Sequence, residues 1–182
     1  MKIYNNNIVY LFLFLLFAAC QKKEIFQPEQ SKHTDYLQNS QKYSKIRETN
    51  ERKYLQKWVN KQKDSLQHIF ETTSSGIWIR YVIKNNSPLA KLNDQVIYTA
   101  EVKDLNNQII YSTNEFGNKQ GILGKFNEIR GIESALYKMR KGETVEILLP
   151  SFTAYGLYGD ENKIGANAPL LIKLNLIDVK SP

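Results

Sequence analysis

The spacing of apolar residues changes period at Gly76, which limits this chain to a helical part followed by a β-rich part. Between residues 34 and 70 there is no glycine or proline, and Tyr43, Ile46, Leu55, Trp58, Val59, Leu66, Ile69 and Phe70 recur at helical intervals. The intervals predict an amphipathic helical segment over 34–75, broken near Thr49-Asn50, where either residue can cap a second helix opening at Glu51. Such a segment packs Trp58 and Phe70 on its neighbour; a partner-binding or dimerising helix is the alternative. After Gly76, β-branched and aromatic runs predict strands at 77–83, 96–102, 108–111, 144–149 and 170–179. A short helix is expected over 128–139, with Ile129, Ile132, Leu136 and Met139 on one side and Lys141-Gly142 as its stop. The fold class is therefore α+β.

Composition narrows the chemistry. At 182 residues and 42% hydrophobic content, the chain can bury a real core. Its single cysteine excludes an internal disulfide and a cysteine-rich zinc site. The two histidines, His33 and His68, argue against a histidine metal centre or a Ser–His–acid triad, so neither metal nor cofactor is expected. The net charge of +7 is spread thinly. Residues 21–75 carry eleven Lys/Arg against seven Asp/Glu, and residues 76–182 carry thirteen against eleven. With no block of five like charges, the chain has no nucleic-acid arm.

The apolar run Ile8–Ala19 (IVYLFLFLLFAA) gives roughly 18 Å of helix, short of the roughly 30 Å needed to span a bilayer. It reads as the central segment of a signal peptide. Its end, Phe17-Ala18-Ala19-Cys20, resembles the lipobox of bacterial lipoproteins, with Phe where Leu is usual. The resemblance implies removal of residues 1–19 and lipidation of Cys20, with a polar tether over 20–33. Multiple acyl chains hold a protein stably on a membrane. No Asp follows Cys20, which by the same resemblance places the protein at the outer membrane, facing the periplasm.

Further along, Val96-Ile97-Tyr98-Thr99, Leu123-Gly124, Ile129-Arg130-Gly131, Met139 before Gly142, Ala154-Tyr155-Gly156 and Gly159 stand in a fixed order. Together they resemble the FKBP-type peptidyl-prolyl cis-trans isomerase domain over residues 93–180, with a two-residue insertion near Leu105-Asn106. The combination of lipobox, basic helical spacer and such a domain over 76–182 is similar to the gliding-motility-associated FKBP lipoproteins. The resemblance implies an antiparallel β-sheet wrapped around one short α-helix, preceded by the helical segment. It also implies partners: X–Pro or apolar segments of exported proteins, or a component of a motility or secretion apparatus.

Turning an X–Pro amide needs neither metal nor nucleophile. A dry pocket holds the proline ring while fixed donors stabilise the rotated carbonyl. By resemblance, Tyr98, Ile129 and Tyr155 carry catalysis: the Ile129 N–H and the Tyr155 hydroxyl bind peptide carbonyls. Ile110, Tyr111, Ile132, Ile164 and Ile172 would line the substrate pocket. The family's usual Phe-Asp pair is Ile110-Tyr111 here, so a carboxylate near the rotating bond is missing. Ile132 replaces the floor tryptophan and Ile172 an aromatic of the last strand. Lys119 aligns with a further aromatic, for which Phe116 can substitute, and Gly165 replaces a proline. Less aromatic surface means less packing around a proline ring, and a smaller floor residue deepens the pocket unless a neighbour fills it. These departures predict isomerase activity well below that of a typical small FKBP. The alternative is a non-catalytic adaptor of the same fold.

Overall fold

The computed structural model describes residues 30–63 and 69–182. Cys20, the lipobox and Leu66 of the apolar series lie outside the described residues. Two compact units divide the chain, Met1–Gln41 and Lys42–Pro182. Among the described residues the first holds only the opening turns of helix α1 (Gln30–Lys63), and everything below concerns the second. No described helix is long and apolar enough to cross a membrane.

The remaining elements are β1 (Glu71–Thr72), β2 (Trp78–Ile83), β3 (Gln95–Lys103), β4 (Ile109–Tyr111), α2 (Thr113–Phe116), β5 (Lys119–Ile122), α3 (Arg130–Leu136), β6 (Thr144–Leu149) and β7 (Leu170–Lys180). The strands form one antiparallel sheet in the order β1-β2-β6-β7-β3-β4, with β5 also pairing β3. This is the expected α+β arrangement, a sheet folded over the short helix α3.

Burial on both faces explains why β6 and β7 read as nearly continuous apolar runs rather than alternating ones. On the inner face, Val145, Ile147 and Leu149 of β6 and Leu170, Ile172, Leu174 and Leu176 of β7 pack with Ile132, Ala135 and Leu136 of α3. On the outer face, Leu148 and Leu171 pack with Trp78 and Phe70 and with Leu55, Val59 and Trp58 of α1. Trp58 meets Phe70 edge to face at 6.2 Å, and its indole N–H donates to the Leu105 carbonyl at 3.2 Å. Gly131 lets α3 lie against β6, because a Cβ there would come within 2.6 Å of the Leu149 side chain.

Four expectations are corrected. The helix begins at Gln30 and runs unbroken through Thr49-Asn50. The Thr49 hydroxyl bonds back to the Lys45 carbonyl at 2.8 Å, one turn earlier, instead of capping a new helix. The helical segment does not extend to residue 75, since Glu71–Thr72 pair with β2. Nor do its apolar residues share one face: Leu55 and Val59 are buried, whereas Tyr43 and Ile46 are exposed. At 3.6 residues per turn, the step from Ile46 to Leu55 rotates the side chain about half a turn away. The helix expected over 128–139 is regular only from Arg130 to Leu136. Ile129 is extended, and Lys138 and Met139 close with tighter bonds to Ala135 and Leu136.

Candidate functional site

Three segments converge on the inner end of α3. Strand β3 supplies Tyr98, immediately after a register shift in its pairing with β7 between Ile97 and Tyr98. Such irregularities re-aim side chains and recur next to functional sites. Strand β4 supplies Ile110 and Tyr111, and the long connection between β6 and β7 supplies Tyr155 and Ile164. Ile129 caps α3 with extended backbone (φ −62°, ψ 138°). Its carbonyl accepts from the Ile132 and Glu133 amides at 3.1 and 3.5 Å, and its own N–H takes no part in these bonds.

The structure brings the eight expected residues into contact with one apolar cluster. Tyr98, Ile132, Ile164 and Ile172 are buried in it, while Ile110, Tyr111, Ile129 and Tyr155 are half-buried and pack against it. Tyr98 is 0% exposed. Phe126 and Phe116 lie at 5.7 and 6.3 Å from its ring in tilted geometry. Phe116 also carries the Lys119 ammonium 4.7 Å from its ring centroid. Phe126 was not foreseen. With Tyr98 and Ile132 both closed to solvent, the floor is covered rather than deepened.

The electrostatics of the phenols are unequal. The Tyr98 hydroxyl is a buried polar atom with no protein partner. Burial, then the nearby Glu128 carboxylate and the Tyr155 phenol, raise its pKa. Burial and the carboxylates of Glu128 and Asp160, with Tyr111, push Tyr155 up to about 12. Tyr155 therefore remains a neutral hydrogen-bond donor throughout the ordinary pH range.

The Tyr111 hydroxyl donates to Asp160 and accepts from the Asn162 amide at 3.1 Å. The hydrogen bond to Asp160 raises the Tyr111 pKa. Burial pushes the Asp160 carboxyl up, but bonds from Tyr111 and the Ile164 and Asn162 amides outweigh it and hold the group below its ordinary value. Lys163 adds a second tie across the same gap, bonding Glu115 and reaching the Ile110 carbonyl at 3.4 Å. Gly159 makes the turn before Asp160, at φ 73°, and a Cβ there would collide with the Ile164 carbonyl. Sequence spacing carried no signal that Asp160 would meet Tyr111. Among the described residues no cluster of His, Cys, Asp and Glu could hold a metal ion.

Comparison with known proteins agrees with this architecture. The family model described as FKBP-type peptidyl-prolyl cis-trans isomerase matches residues 87–177. The chain is 30% identical over 122 residues to the peptidyl-prolyl cis-trans isomerase Mip of Coxiella burnetii, covering 67% of this chain and 51% of that protein. It is 33% identical over 60 residues to FK506-binding protein 2A of Rhizopus delemar, covering 33% of this chain and 36% of that one. The chain thus spans about half, or less, of these relatives' lengths. Among solved structures, a peptidyl-prolyl cis-trans isomerase of Pseudomonas syringae superposes with TM-score 0.58 at 22% identity, covering 73% of this chain and 96% of the other. FkpA of Escherichia coli superposes with TM-score 0.57 at 17% identity, covering 99% of this chain and 84% of the other; at such identities the likeness is one of fold. A family match over half of the sequence, on a sheet that closes over α3 with Ile129 and Tyr155 both packed against its core, makes this chain a member of the FKBP-type peptidyl-prolyl cis-trans isomerase family.

Proposed function

We propose that this protein is a folding factor that binds X–Pro or apolar segments of exported proteins and isomerises X–Pro bonds slowly. The observation that carries this reading is that half-buried Tyr155 and Ile129, the latter with extended backbone before α3, both pack against the apolar cluster that holds Ile132, Ile164 and Ile172. The Tyr155 hydroxyl takes no part in the bonds centred on Tyr111. Rotating the amide meets a barrier of roughly 18–20 kcal/mol. Two donors aimed at the carbonyls of a twisted peptide, Ile129 N–H and Tyr155 O–H, bind the rotated form more tightly than the planar one and lower that barrier. Because Tyr155 stays protonated up to about pH 12, it donates at any physiological pH.

Weak turnover follows from two features. Tyr98 is closed beneath Phe116 and Phe126 and offers its ring to no substrate. No carboxylate of β4 faces the rotating bond, since Tyr111 stands there and is engaged by Asp160. We further propose that lipidated Cys20 holds the protein at the outer membrane facing the periplasm, where a slow X–Pro step of tens to hundreds of seconds makes an ATP-independent helper useful. A role beside a gliding-motility apparatus belongs to the same proposal.

A second reading is favoured by the ties of Tyr111 to Asp160 and of Lys163 to Glu115, which bridge the two sides of the site. On that reading the protein is an adaptor that binds an apparatus component without turnover. Isomerisation of a Leu-Pro peptide by the purified chain, run beside a pull-down from membranes, separates the two. Turnover that drops in Tyr155→Phe supports the folding factor. A stable partner with no turnover supports the adaptor, and turnover at the efficiency of a typical small FKBP would refute the weak-site argument.

A further inference from the structure

We infer that Glu51, on helix α1 and outside the family-matched residues 87–177, is a positioning residue for Tyr155. Both oxygens of its carboxylate are engaged by one residue a hundred positions later. Oε1 accepts from the Ser151 N–H at 2.7 Å, and Oε2 accepts from the Ser151 hydroxyl at 2.8 Å. Ser151 is only 3% exposed, and bonds to an ionised acceptor are roughly twice as strong as neutral ones.

The Ser151 carbonyl in turn accepts from the residues on either side of Tyr155: the Ala154 N–H at 3.0 Å and the Gly156 N–H at 2.8 Å. The Gly156 carbonyl accepts from the Asn167 N–H at 2.7 Å, closing the loop from its far side. The backbone that carries the Tyr155 hydroxyl therefore hangs from Ser151, and Ser151 hangs from Glu51. Arg52 braces the same turn, with its guanidinium 4.9 Å from the Phe152 ring centroid and within 3.4 Å of the Gly76 carbonyl. Helix α1 is thus part of the support of the site. This inference rests on the reading of Tyr155 as a carbonyl-binding donor, and it adds the residue that sets where that donor stands.

The test compares Glu51→Ala, Glu51→Gln and Leu55→Ala in the full chain by amide hydrogen exchange and by binding of a Leu-Pro peptide. Loss of two bonds to a charged acceptor should raise exchange at Ala154 and Gly156 about tenfold or more relative to β7 amides. Glu51→Gln keeps an acceptor oxygen and should fall between wild type and Glu51→Ala. Leu55→Ala loosens the helix through apolar contact alone. If it raises exchange at Ala154 and Gly156 as much as Glu51→Ala does, or if Glu51→Ala leaves both amides unchanged, Glu51 does not position the loop. In binding, Glu51→Ala should weaken the peptide about tenfold in the wild-type background and less than about twofold in Tyr155→Phe, the non-additivity of residues acting as one unit. Equal losses in both backgrounds overturn the inference. Were the wild type to bind no prolyl peptide, the reading of Tyr155 would fall, and the exchange comparison would still decide whether Glu51 sets the loop.

Discussion

Replacing Tyr98 by Phe should make the protein more stable, although Tyr98 sits at the centre of the site. Its ring is wholly buried, packed on Phe116 and Phe126, and its hydroxyl has no protein partner. A buried hydroxyl that has given up water without gaining a bond costs about 1–3 kcal/mol. The substitution removes that penalty and keeps the ring. The missing oxygen leaves a void on the order of 10 Å³, which at about 24 cal/mol per Å³ takes back only about 0.2 kcal/mol. The net expectation is a gain of about 1–3 kcal/mol. For a chain of this size that raises the thermal midpoint by about 2–11 °C. Urea unfolding followed by tryptophan fluorescence reads it directly, with an unchanged m-value as the sign that only stability moved. A loss of 1 kcal/mol or more would refute the reasoning, because it would mean the hydroxyl is satisfied in the folded protein. Should peptide binding weaken while stability rises, Tyr98 keeps its hydroxyl for function at the expense of the fold.

Leu55→Ala should destabilise by about 2–5 kcal/mol, since Leu55 is fully buried between α1 and the outer sheet face. Ile46→Ala, at an exposed position, should stay within about 0.5 kcal/mol; equal effects in urea unfolding would mean the helix face is misassigned. Asp160 has a native pKa below its ordinary 3.8, so its stabilising contribution is present above that value and lost as pH falls through the lower native one. Tyr111→Phe should raise the Asp160 carboxyl toward 3.8 and flatten the acid limb of stability; a carboxyl titration by NMR that does not move would remove the tie. Tyr155 holds its proton to about pH 12 when folded, against 10.0 for an ordinary tyrosine. The unfolded chain therefore releases that proton first, and stability should fall as pH rises from 10 toward 12. Phenolate absorbance checks this: Tyr155→Phe should remove a late-titrating group, and an unaltered titration would contradict the burial of Tyr155.

The strands were legible because their residues answer to burial. Trp78-Ile79, Val96 to Val102 and the two-sided runs of β6 and β7 need β-branched and aliphatic side chains wherever they stand. Strands β1 and β5 were not legible. Glu71–Thr72 is too short for a pattern, and Lys119–Ile122 contains a single β-branched residue, paired only because β3 offers an edge. Helix α1 was legible in kind and misread in orientation, because spacings of three, four and seven drift when they are chained over many turns. In the site, Tyr98, Ile129 and Tyr155 could be named from residue order. The Tyr111–Asp160 and Glu51–Ser151 pairs could not, since each joins residues whose distance along the chain says nothing of their meeting.

The two-sided packing of β7 also governs when the structure can close. The chain is made from its amino end, so Leu55, Trp58 and Val59 exist long before Leu148 and Leu171, the residues that bury them. Until β7 is threaded between β6 and β3, the apolar side of α1 has no complete seat and the inner core has no central strand. Contacts of such sequence separation form slowly and leave apolar surface open meanwhile. Strand β7 thus completes both layers at once, and truncation within it should leave a chain that is sticky rather than merely shorter.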